Sequence, residues 1–84
     1  MIESGQIRAA RALLGWSQSE LVERSGLSLT TIKRMENDAI GPGKSSAENL
    51  AAVERALMAA GVQFIPRNGG GAGVRMAKPS ETPT

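Results

Sequence analysis

The chain of 84 residues has no cysteine, no histidine and no tyrosine, and only one tryptophan and one phenylalanine. Without cysteine there is no disulfide framework and no thiolate metal site. Without histidine the usual general base, the common imidazole ligand and any Ser-His-Asp arrangement are excluded together. So few aromatics leave no platform on which unpaired bases could stack. No stretch approaches the roughly 20 apolar residues that span a bilayer. The opening MIESGQIRAA carries Glu3 early and lacks the apolar centre of a secretory signal. These absences predict a cytoplasmic protein that is not an enzyme, holds no metal and no cofactor, and has no membrane partner.

Charge of one sign is also scarce. The net charge is +2. Residues 1–60 hold seven basic groups (Arg8, Arg11, Arg24, Lys33, Arg34, Lys44, Arg55) against seven acidic ones (Glu3, Glu20, Glu23, Glu36, Asp38, Glu48, Glu54). The excess lies further on, where Arg67, Arg75 and Lys78 outweigh Glu81. Bulk charge therefore does not announce a nucleic-acid partner, and any such partner must be argued from local placement.

What is present is helical. GQIRAARALL, residues 5–14, places Ile7, Ala10 and Leu14 on one face with Leu13 beside them, and Gly15 follows as a stop. Ser17 and Glu20 have capping-box spacing, opening a helix from Gln18 to Ser25 that Gly26 ends. Ser28 is an N-cap for a third helix, Leu29 to Asn37. Trp16 with Leu21, and Leu27 with Ile32, repeat the spacing of a hydrophobic staple. Trp16 then reads as a core residue. The loop DAIGPGK leads to a second capping-box pattern, Ser45 and Glu48, and a fourth helix over 46–60 with Leu50, Val53 and Leu57 on one face. VQFI (62–65) alternates like a strand, and VRM (74–76) is a candidate return strand across the turn-rich PRNGGGAG. GGGAG lacks the G-K-[ST] ending of a phosphate loop. AKPSETPT (77–84) has the composition of a disordered end. The expected organisation is one domain over 1–61, a strand or hairpin extension over 62–76, and a tail.

Two short helices joined through a glycine-containing turn form the helix-turn-helix pattern. Leu21, Val22, Leu27, Ile32 and Met35 would hold the corner, leaving a short helix with a polar, partly cationic outer face that suits a DNA major groove. The stretch IRAARALLGWSQSELVERSGLSLTTIKRME resembles the Xre/Cro/phage-repressor family of helix-turn-helix regulators, with LGWSQ, Gly26, Ile32 and RME as the matching elements. The resemblance covers about residues 5–60. Two departures stand out: Val22, where the family more often has alanine, and Asp38, where a glycine often ends the recognition helix.

The resemblance implies a mostly α, lambda repressor-like fold of four to five helices, with the short strand or hairpin appended. Residues 29–36 would be the recognition helix. Leu29, Thr30, Lys33 and Arg34 match positions that face base edges, and Gln18, Ser28, Thr31 and Asn37 match phosphate-contacting ones. Arg11 and Glu36 match a partly buried ion pair between the first helix and the end of the third. The implied function is a sequence-specific regulator of transcription, a bacterial repressor of the kind found on prophages and other mobile elements, acting on double-stranded DNA in the nucleoid. One short recognition helix makes few contacts, which predicts a homodimer on paired half-sites. The fourth helix and residues 62–76 would form its interface with Val62 and Phe64 as anchors, the strand pairing either within one subunit or between two. The rival reading is an antitoxin or other interaction module whose C-terminal strand takes a partner protein.

Overall fold

Local chemistry sets where each helix begins. In the computed structural model, which describes residues 1–77, the elements run α1 (Ser4–Leu14), α2 (Gln18–Ser25), α3 (Leu29–Glu36), a 3-10 turn (Pro42–Lys44), α4 (Ala47–Ala59), β1 (Val62–Ile65) and β2 (Gly73–Met76). The tail expected over 77–84 falls outside the described residues except for Ala77. Ala77 extends the hairpin by donating its N–H to the Gly61 carbonyl at 2.7 Å.

Serines cap three of the four helices. Ser17, Ser28 and Ser46 each accept from the backbone N–H three residues on. The cap of α4 is thus Ser46 and not Ser45. The 3-10 turn consumes Ser45, whose N–H donates to the Pro42 carbonyl at 3.0 Å, and helical geometry starts one residue later. At α2 only half of the expected box forms, because the Glu20 carboxylate turns to Arg24 at 2.7 Å. Gly15 and Gly26 end α1 and α2 at φ 70 and φ 77, in the left-handed region where side chains are disfavoured. The end of α3 differs from expectation. Asn37 is extended, and its side chain accepts from the Ala39 N–H at 2.8 Å, which turns the chain out of the helix.

The core is one cluster: Ile2, Ile7, Ala10, Leu21, Ile32, Met35, Val53, Leu57 and Val62, with Leu14, Trp16, Val22, Leu27, Leu50, Phe64 and Val74 packed around it. It draws on all four helices and on the hairpin. Leu13, expected beside the buried face of α1, is 48% exposed. Burial of the small Ala10 shows that α1 sits close to its neighbours, so the apolar stripe is narrow and leaves position 13 outside.

The hairpin is antiparallel, pairing Val62 with Met76, Gln63 with Arg75, Phe64 with Val74 and Ile65 with Gly73. A lone two-stranded hairpin is marginal in water. This one is tied to α1 by Gln6, a buried side chain that donates to the Ile65 carbonyl at 3.1 Å and the Gly73 carbonyl at 2.9 Å while accepting from the Glu3 N–H at 2.8 Å. One amide thus caps α1 and holds both strands. Across the surface, Arg67 grips Glu3 through two bonds of 2.6 and 2.9 Å, and this holds the Glu3 carboxyl below its usual range. Replacing Gln6 with leucine keeps the volume and removes these bonds, at an expected cost of about 1–3 kcal/mol. Urea denaturation measures the loss. Amide exchange should show the hairpin opening before the helices; hairpin protection equal to wild type would show that Gln6 is not the tie.

Candidate nucleic-acid interface

The turn between α2 and α3 is built from the residues that cannot be helical. Gly26 takes the left-handed conformation, its N–H donating to the Val22 carbonyl at 2.9 Å, and Ser28 restarts the helix two residues later. Ser28 is used twice: its hydroxyl accepts from the Thr31 N–H at 3.1 Å and donates to Thr31 Oγ1 at 3.0 Å. Below this turn Leu21, Ile32 and Met35 are fully buried. Trp16 is half-buried over the same cluster, with the Arg24 guanidinium 4.8 Å from its ring centroid.

The angle of α3 is held by Glu36. This carboxylate is 4% exposed and accepts from three donors: Arg11 Nε at 2.7 Å, Arg11 Nη2 at 2.8 Å and Gln18 Nε2 at 3.0 Å. Arg11 completes its fork by donating Nη1 to the Trp16 carbonyl at 3.0 Å. The hydrogen bonds and charge of Glu36 raise the Arg11 pKa further above its already high ordinary value. One side chain thereby joins α1, the start of α2 and the end of α3. A second tie lies beside it. Asp38 accepts from the Ser4 hydroxyl at 2.6 Å and from Arg8 at 2.9 Å, and Arg8 also donates to the Glu36 carbonyl. The Ser4 hydrogen bond, then Arg8, hold the Asp38 carboxyl below its usual range. Asp38 stands where the family often has glycine, and here it fastens the chain leaving α3 to α1.

These pairs decide the local charge. Among the described residues, Arg8, Arg11, Arg24 and Arg67 meet Asp38, Glu36, Glu20 and Glu3. Lys33, Arg34 and Lys44 meet no carboxylate among those residues. Glu36 and Asp38, at the end of α3, are therefore paired from the α1 side, while Lys33 and Arg34 pair with no carboxylate among the described residues. A near-neutral chain acquires a cationic surface by pairing, not by composition.

Leu29, Thr30, Lys33 and Arg34 are all exposed, Leu29 at 40%, and none makes a side-chain hydrogen bond among the described residues. Thr30, Lys33 and Arg34 turn away from Ile32 and Met35, and Leu29, two turns before Glu36, stands at the margin of the buried face. Arg34 and Thr31 also form one wall of an open cleft, whose other lining includes Ile40, Lys44, Ser46 and Asn49 from the following loop and the N-terminus of α4.

The other expected site residues fall as follows. Gln18 is half-buried, and one hydrogen of its amide nitrogen is taken by Glu36, leaving the second for an outside acceptor. Ser28 and Thr31 spend hydroxyl bonds on capping α3, and Asn37 spends its carbonyl oxygen on Ala39. Val62, expected as a dimer anchor, has its side chain 3% exposed inside the core, because the even positions of β1 face the helices. Phe64 on the same face is half-buried. Sequence reasoning missed Gln6, the Ser4–Arg8–Asp38 cluster, and Ile40, Lys44 and Asn49 beside the recognition helix. Lys44 alone had a readable signal, a cation just before the serines that start α4.

Among the described residues no helix is long and apolar enough to cross a membrane, and no cluster of metal-ligating side chains occurs. No curated protein matches the chain. The helix-turn-helix family model does match it, over residues 7–57, from the end of the first turn of α1 to the last turn of α4. The match spans more than half of the chain and contains both helices of the motif, the capped turn between them and the Arg11–Glu36 brace. The chain belongs to the Xre/Cro/lambda repressor-like helix-turn-helix family of non-enzymatic, DNA-binding regulators.

Proposed function

We propose that this protein is a sequence-specific repressor that binds a pseudo-palindromic operator as a homodimer. The observation that carries this reading is the outer face of α3. Leu29, Thr30, Lys33 and Arg34 project from a helix whose orientation is braced by Glu36, and Glu36 and Asp38 at its end are paired with arginines of α1. Arg34 suits a bidentate bond to guanine, Lys33 a guanine or phosphate, and Leu29 and Thr30 a thymine methyl. Gln18, Ser28, Thr31 and Asn37 lie around this helix where phosphates would pass. Lys44 and the N-terminus of α4 across the cleft add donors of the same kind. The antitoxin reading shares this DNA-binding half and adds a partner protein.

Selection from a random duplex pool, followed by sequencing, tests the proposal. The expected result is an inverted pair of short half-sites whose centres lie about one helical turn apart. Enrichment of a single, unpaired half-site would remove the dimer from this reading, and no enrichment at moderate salt would remove sequence recognition itself.

A further inference from the structure

The hairpin leaves two unpaired edges, and their chemistry is not equivalent. The Ala77 N–H to Gly61 carbonyl bond sets the phase of the ladder. By the alternation of an antiparallel pair, 63/75 and 65/73 then exchange hydrogen bonds, in phase with the single 77-to-61 bond. The N–H and C=O groups of Val62 and Phe64 then point outward along the β1 edge, and those of Val74 and Met76 along the β2 edge. None of these groups has another backbone or side-chain partner among the described residues. Exposed edges of this kind are templates for pairing.

Among the two-fold registers open to either edge, one engages both outward residues of each copy and so makes the most hydrogen bonds. For β2 it pairs Val74 with the second copy's Met76, which sets Arg75 directly opposite Arg75. Two like charges in a close, non-hydrogen-bonded pair are unfavourable. For β1 it pairs Val62 with Phe64, which sets Gln63 opposite Gln63. That contact is self-complementary. Arg75 takes one lone pair of Gln63 Oε1 at 2.7 Å, leaving the other lone pair and the amide N–H groups for the opposing glutamine. The β1 edge also lies along a groove lined by Ile2, Glu54, Met58, Val62 and Phe64, and Met58 there is 59% exposed. An unbranched, adaptable side chain held in water beside an open strand fits an interface.

We propose that a second copy of this chain occupies the β1 edge, forming a four-stranded sheet in the order β2-β1-β1-β2 with Gln63 on the two-fold axis. The proposal rests on the homodimer reading above and specifies its seam. The backbones of Val62 and Phe64 make the joint, and their side chains stay in their own cores.

The absence of cysteine makes the test clean, since a single introduced thiol can cross-link only to its own copy. Gln63→Cys and Arg75→Cys are compared under mild oxidation without DNA, after sedimentation has measured the mass of the unmodified protein. A dimer in which Gln63→Cys cross-links at least about tenfold faster than Arg75→Cys is the expected result, since a close strand pair has the Cα separation that a disulfide requires. Gln63→Arg should then raise the dimer dissociation constant by about tenfold or more while the circular dichroism of the helices stays unchanged. A dimer that cross-links faster at position 75, or at neither position, overturns the β1 seam and leaves the homodimer reading standing. A monomer at concentrations that saturate paired half-sites overturns both.

Discussion

Replacing Glu36 with alanine will lower the melting temperature by about 10–25 °C. The substitution removes three accepted hydrogen bonds and strands Arg11, whose side chain is only 19% exposed, against a half-apolar corner. Breaking a buried pair from one side costs roughly 3–5 kcal/mol because the surviving charge is left uncompensated. Partial exposure of Arg11 and its remaining bond to the Trp16 carbonyl reduce this to about 2–4 kcal/mol. In a chain of this size each kilocalorie is worth about 4–8 °C. Two controls separate charge from packing. Glu36→Gln keeps the shape and one acceptor oxygen and should lose less. Arg11→Met combined with Glu36→Leu should recover much of the loss, since paired charges exchanged for apolar groups are often neutral. A shift under about 4 °C for Glu36→Ala in a thermal scan would show that the pair contributes nothing beyond an exposed bridge.

Arg34→Ala will weaken binding to the selected operator by about 1–3 kcal/mol, or roughly 5- to 150-fold, and relax the preference at one base pair in each half-site. The folded state should not change, because Arg34 is exposed and pairs with no carboxylate among the described residues. Binding titrations against the operator and against a version mutated at each position read the effect. An equal loss on every sequence, with a salt dependence reduced by about one ion, would make Arg34 a phosphate contact. Its place on the wall of the Lys44–Asn49 cleft makes that distinction worth drawing.

The motif was legible because it is written in local chemistry. A serine cap, a glycine that must be left-handed and an apolar residue on each side of the cap spell out α2, the turn and α3 within nineteen residues. Arg11 and Glu36 were placed by resemblance, and the geometry added Gln18 as a third member. What the sequence hid were ties between distant residues. Gln6 and the hairpin carbonyls are about sixty positions apart, Arg8 and Asp38 thirty, and neither pairing leaves a periodic trace. The fate of 62–65 was also hidden. Alternation showed that VQFI has two faces, but not that the face of Val62 fills a gap among the helices of its own subunit. Deleting residues 62–84 would therefore open the core as well as remove any interface, so point changes such as Gln63→Arg separate partner binding from folding better than truncation does.

The division of labour along α3 has one more result. Ile32, Met35 and Glu36 are committed to the interior, whereas the side chains of Leu29, Thr30, Lys33 and Arg34 make no hydrogen bond or ion pair among the described residues. Exchanging exposed, unpartnered side chains usually changes stability by less than about 0.5 kcal/mol. The four outer positions can therefore vary together while the scaffold stays folded, and under the base-reading role proposed for them a lineage carrying this domain would acquire a new target sequence in a few substitutions without passing through an unfolded ancestor.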